Sequence, residues 1–122
     1  MTVVCFDSTP IMLQSLKENA QMVFPDADIQ AFLTEESAQN YAEKTGCDIL
    51  LCEINPPRLE GLFLAEKVKQ INPKVNIIFV TVCSESEHAK VVMRLKPSGY
   101  LTKEATNTQI MEELQNLRYP VA

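Results

Sequence analysis

The residues able to do chemistry sit at the ends of apolar runs. Asp7 follows "TVVCF", Glu53 closes "DILLCE", Thr81 lies near the end of "VNIIFVTV", and Lys103 stands just past "SGYLT". Carboxylates hold hard cations such as Mg²⁺ and can act as nucleophiles, and an ammonium pairs with them through charge-assisted hydrogen bonds. Glu53 is the most conspicuous of the four. An ionised carboxylate beside an apolar core is costly unless something pairs with it. Cys5, Cys52 and Cys83 end neighbouring runs and raise a second chemistry, thiol redox sensing. The four cysteines form no C-x-x-C pair, and the single histidine, His88, lies at no metal-type spacing, so a zinc site is not expected.

The elements that position these groups follow from periodicity. Residues 2–6, 28–33, 47–53, 75–82 and 98–102 read as short buried strands. Between them run amphipathic helices. The first starts at Ser8 or Thr9 with Pro10 in its opening turn and buries Leu13, Leu16, Ala20 and Val23. The second opens at Thr34, passes through Tyr41 and Ala42, and stops at Gly46. The third carries Leu62, Ala65, Val68 and Ile71 on one face and ends before Pro73. The fourth spans residues 84–95 with acids in its first turn, and the fifth runs from about Thr106 to Leu117 with Ile110, Leu114 and Leu117 inward. Apolar strands alternating with such helices imply a parallel sheet covered on both faces. Right-handed crossovers make it doubly wound. Functional groups then gather at the carboxyl ends of the strands, and with strand order 2-1-3-4-5 the four polar groups face one shallow pocket. Successive strand residues point to opposite faces, so Cys52 turns away from the Glu53 side.

Composition narrows the function. The chain has 122 residues, 46% hydrophobic and 22% charged, which suits one soluble domain. A net charge of −5 argues against direct nucleic-acid binding by this domain. There is no leader-like segment and no apolar run of membrane-spanning length, so a cytoplasmic, reducing setting without membrane contact is expected.

The ordered motifs resemble a bacterial two-component response-regulator receiver domain along essentially the whole chain. The first strand ends in "FDSTP", where the family carries a pair of acids. The third runs into "LLCEINPPRLEGL", with Pro57, Glu60 and Gly61 in step with the proline and acid-glycine pair that follow the family's phospho-accepting aspartate. Thr81 matches the hydroxyl that ends the fourth strand, and "GYLTKEA" supplies the aromatic Tyr100 and the lysine Lys103. The resemblance implies a flavodoxin-like (βα)5 fold, a three-layer sandwich over residues 1–122, as a single domain or the N-terminal part of a longer regulator. It implies a phospho-acceptor position at Glu53, an acidic pocket at Asp7 and Ser8, a switch pair at Thr81 and Tyr100, and Mg²⁺ held by Asp7, Glu53 and the Asn55 backbone carbonyl. It also implies protein partners: a histidine kinase, an output domain, or a second copy through the face of helix four, strand five and helix five. The "GYLTKEA" form, with Glu104 after the lysine, resembles receivers attached to helix-turn-helix DNA-binding outputs.

Two positions depart from the family pattern. Ser8 replaces the second acid, removing a charged ligand from a cation that prefers carboxylate oxygen. Glu53 replaces the aspartate, and its extra methylene moves the carboxylate by roughly 1–1.5 Å. Misplacement on that scale costs about a hundredfold in rate. The expectation is an atypical, non-enzymatic receiver acting independently of phosphorylation, with Mg²⁺ weak or absent and Glu53 paired to Lys103. A working Mg²⁺-dependent phospho-acceptor and a cysteine-based redox sensor are the alternatives.

Overall fold

A computed structural model describes residues 1–54, 60–82 and 89–121. Ten elements alternate along it: β1 (Thr2–Phe6), α1 (Pro10–Val23), β2 (Asp28–Phe32), α2 (Glu35–Thr45), β3 (Ile49–Ile54), α3 (Glu60–Ile71), β4 (Asn76–Thr81), α4 (Ala89–Arg94), β5 (Gly99–Thr102) and α5 (Asn107–Gln115). The five strands form one parallel sheet in the order β2-β1-β3-β4-β5. The sandwich and strand order are those the sequence pattern implies. Boundaries move by one or two residues, as expected where ladders fray.

The pleat divides the core in two. Val3, Cys5, Ile49, Leu51, Ile78 and Val80 point to one face and pack under Leu13, Leu16 and Ala20 of α1 and Ile110 and Leu114 of α5. Val4, Leu50, Cys52, Ile54, Ile77 and Phe79 point to the other, under Ala38 and Ala42 of α2, Leu64, Ala65 and Val68 of α3, and Val92 of α4. β3 and β4 are buried at every position, as central parallel strands should be.

Local signals account for most helix ends. Pro10 opens α1, and the Thr34 hydroxyl accepts the Ser37 N–H at the start of α2. Gly46, with φ +78°, closes α2 in the left-handed region. Thr106 and Gln109 form a reciprocal capping box on α5. One inward assignment and one helix end need correction. Ile71 is 41% exposed, because it closes α3 where the helix has already run past the sheet, while Leu64 is fully buried in that helix. Leu117 lies beyond α5 but still packs on the core. Residues 84–88 of the expected fourth helix, His88 among them, fall outside the described residues. Among the described residues no helix is long and apolar enough to cross a membrane.

Candidate functional site

At the carboxyl pole of the sheet, β1, β3 and β5 deliver their terminal polar residues to one point. Asp7 follows β1 directly and is fully buried. Its backbone N–H donates to the Phe32 carbonyl at 3.2 Å, which anchors the turn to β2. Its Oδ1 accepts the Thr9 N–H at 2.8 Å and the Lys103 Nζ at 3.1 Å. Its Oδ2 is buried with no hydrogen-bond partner among the described residues.

Glu53 is 5% exposed. Lys103 Nζ donates to its Oε1 in a direct ion pair. Its Oε2 accepts the Ser8 backbone N–H at 2.9 Å and the Ser8 hydroxyl at 2.7 Å. Ser8 therefore does not cap α1. Thr9 occupies the cap position, also without a side-chain cap bond, and its hydroxyl lies 3.4 Å from Lys103 Nζ. The two departures from the family pattern fit each other sterically and electrostatically. The longer Glu53 reaches the β1–α1 turn, and Ser8 offers it two donors where an acid would offer repulsion.

Lys103 is held from behind. Its backbone N–H donates to the Thr81 carbonyl at 2.7 Å, continuing the β4–β5 ladder one step past Thr102. Thr81 is buried and meets Lys103 through this backbone bond. Tyr100 is half-buried and packs on the α2–α3 face of the sheet. The structure thus brings Asp7, Ser8, Glu53 and Lys103 together, sets Thr81 beside them, and places Tyr100 across the sheet. The expected metal ligand Asn55, and Pro57, lie outside the described residues.

Close packing fixes the Glu53 backbone. A Cβ on Gly61 would fall 1.6 Å from the Glu53 carbonyl oxygen, so only glycine lets α3 approach β3 this closely. The Cys52 thiol donates to the Gly61 carbonyl at 2.9 Å across the same contact. Beside Glu53 opens a cavity of about 370 Å³ whose lining includes Phe6, Ser8, Leu33, Glu35, Glu36 and Glu60. None of the described residues lining it is basic.

The ionisation of the cluster follows its contacts. Burial pushes the Glu53 carboxyl up, but hydrogen bonds from Lys103 and Ser8 outweigh it and hold the carboxyl below its ordinary value. Burial lowers Lys103, but Glu53 and Asp7 more than compensate, and the ammonium titrates above its ordinary range. Asp7 is raised, chiefly by burial and further by the Glu53 charge, against the opposing Thr9 and Lys103 hydrogen bonds. One ammonium is thus shared by two carboxylates, and Glu53 holds the larger share.

The three described cysteines, Cys5, Cys47 and Cys52, behave as core residues. Cys5 and Cys52 point to opposite faces of the sheet. Burial pushes the Cys5 and Cys47 thiols up to about 12 and Cys52 well above its ordinary value. A thiol without accessible thiolate is a poor redox sensor. Cys83 lies outside the described residues.

The response regulator receiver domain model matches residues 3–115. The chain belongs to this family. Curated relatives include the response regulator GacA of Pseudomonas aeruginosa, 24% identical over 67% of this chain and 38% of its own length. Another is the transcriptional regulatory protein YesN of Bacillus subtilis, 30% identical over 57% of this chain and 19% of its own length. Well under half of each such relative is matched. Among solved structures, a receiver domain from Methanospirillum hungatei superposes with a TM-score of 0.80 at 20% identity, covering 93% of this chain and 90% of that one. The chemotaxis protein CheY4 of Vibrio cholerae gives 0.79 at 17% identity, covering 93% and 95%. At these identities the structural likeness speaks for the fold, and the family assignment rests on the sequence model.

Proposed function

We propose that this receiver works as a regulatory interaction module without phosphorylation at residue 53. The observation that carries the reading is the state of the Glu53 carboxylate. Both oxygens are already engaged, one by Lys103 and the other by two donors of Ser8. A carboxylate so held is a poor nucleophile, because attack requires giving up these bonds. The described lining of the neighbouring cavity, with Glu35, Glu36 and Glu60, also disfavours an anionic phosphodonor.

The donor set argues equally against Mg²⁺, which the family would hold here. An octahedral site needs several free oxygens. Asp7 Oδ1 and both Glu53 oxygens are turned to Lys103, Thr9 and Ser8, and among the described residues Asp7 Oδ2 is the buried side-chain oxygen left without a hydrogen-bond partner. The Lys103 ammonium neutralises the carboxylates instead. Glu53 then presents a fixed negative charge to Lys103, one unit where a phosphoryl group would carry about two. The domain acts through protein contacts with a kinase, an output domain or a second copy, the face of α4, β5 and α5 being the surface offered. It carries out no catalysis of its own.

Acetyl phosphate with Mg²⁺, followed by intact-mass measurement, tests this. The wild-type chain is expected to remain unmodified, and the Ser8→Asp/Glu53→Asp double variant to gain a phosphoryl adduct. A stoichiometric adduct on wild-type Glu53 would overturn the proposal.

A further inference from the structure

The opposite pole of the sheet holds a second polar cluster, whose buried hydrogen bonds run between neutral groups. Asn76 begins β4 and is fully buried. Its side-chain amide reads the Tyr119 backbone in both directions: Nδ2 donates to the Tyr119 carbonyl at 2.9 Å, and Oδ1 accepts the Tyr119 N–H at 2.8 Å. The amide thus imitates the pairing of a β-strand on a piece of chain that has no strand beside it. Ser98, just before β5, completes the arrangement. Its hydroxyl donates to Asn76 Oδ1 at 2.7 Å and accepts the Arg118 N–H at 3.0 Å. From α3, Lys69 Nζ lies 4.9 Å from the Tyr119 ring centroid, within cation–π range. Val121 packs on the α1–α5 core beyond it.

We infer that Asn76 and Ser98 form a clamp that reads the backbone of Arg118 and Tyr119 and binds this tail to the amino pole of the sheet. A helix end alone would not hold it, since α5 stops at Gln115. The buried Asn76 would be costly without partners, and the tail satisfies its amide at both ends. The contacts that Asn76 and Ser98 use are backbone groups, and the Tyr119 side chain adds its contact with Lys69. A segment joined after the tail leaves the domain in a direction set by β4 and β5, at the pole away from Glu53. The tail is therefore a strap built into the fold, and Asn76 and Ser98 are its positioning residues.

Trypsin provides the test, because the Arg118–Tyr119 bond lies inside the strap. Release of residues 119–122 is followed by intact mass for the full chain, for Ser98→Ala and for Lys69→Ala, with cleavage after Lys67 in α3 as the internal control. A peptide of residues 113–122 gives the unrestrained rate. Cleavage after Arg118 in the wild type is expected to be at least tenfold slower than in the peptide. Ser98→Ala, which removes two hydrogen bonds, should accelerate it about tenfold. Lys69→Ala should accelerate it about threefold. Cleavage after Lys67 should not change in Ser98→Ala. Three results would overturn the inference: wild-type cleavage as fast as in the peptide, an unchanged rate in Ser98→Ala, or equal acceleration after Arg118 and Lys67. The last would show that Ser98 stabilises the whole fold and does not hold the tail.

Discussion

The two poles of one sheet solve the problem of buried polar groups differently. At the carboxyl pole, charges do it: Asp7 and Glu53 share Lys103, and one oxygen of Asp7 has no hydrogen-bond partner among the described residues. At the amino pole, neutral groups do it: the Asn76 amide and the Ser98 hydroxyl match the Tyr119 and Arg118 backbone. Buried charge gains little net stability and exacts a large penalty when one partner is lost. Neutral hydrogen bonds contribute about 1 kcal/mol each and fail gently. The charged pole is therefore the natural place for a state that can be altered, and the neutral pole the place for fixed geometry.

The contrast breaks most visibly at Lys103. Lys103→Met would leave two carboxylates facing each other without a cation. The expected cost is about 2–3 kcal/mol in urea unfolding, below the full value for a buried pair because Lys103 retains some solvent access. A loss within 0.5 kcal/mol would mean that the pair contributes no more than a surface contact, on the order of the usual exposed-pair value.

The pH dependence separates the poles next. The folded-state Glu53 carboxyl titrates below its ordinary value, so its contribution is present above the unfolded value of about 4.3 and is lost as pH falls through the folded one. The stability gap between wild type and Glu53→Gln should accordingly narrow from about pH 5 downward. The gap between wild type and Ser98→Ala should stay flat over the same range, since no group at that contact titrates there. A parallel decline in both would remove the distinction. The smallest effect is expected from Ser8→Ala, which keeps the backbone N–H to Glu53 and loses only the hydroxyl. It should cost about 1 kcal/mol, and a cost equal to that of Lys103→Met would show that Ser8, and not Lys103, holds the carboxylate.

Much of this is legible in the sequence. Apolar runs of strand length between amphipathic helices identify the parallel sandwich, because both periodicities are local. Spacing alone brings Asp7, Glu53 and Lys103 to one pole. The Ser8–Glu53 contact was not legible. Ser8 read either as a helix cap or as a lost metal ligand, and half of what it gives Glu53 is a backbone N–H that no side-chain pattern reveals. Thr9 was missed as a neighbour of Lys103 for a related reason, since a threonine before Pro10 reads first as a cap. Ile71 was misplaced because helical period says which side of a helix is apolar but not where the sheet beneath it ends.

By itself, the sequence determined the strand and helix alternation, the family, and the replacement of an aspartate by Glu53 and of an acid by Ser8. These follow from residue type and spacing along the chain. Only the tertiary structure decided that the two replacements meet, that Lys103 stands between Glu53 and Asp7, and that Asn76 holds a tail forty-three positions away. Hydrogen bonds of that kind join backbone and side-chain atoms across strands distant in sequence. Their existence depends on register and crossover, which no local pattern encodes.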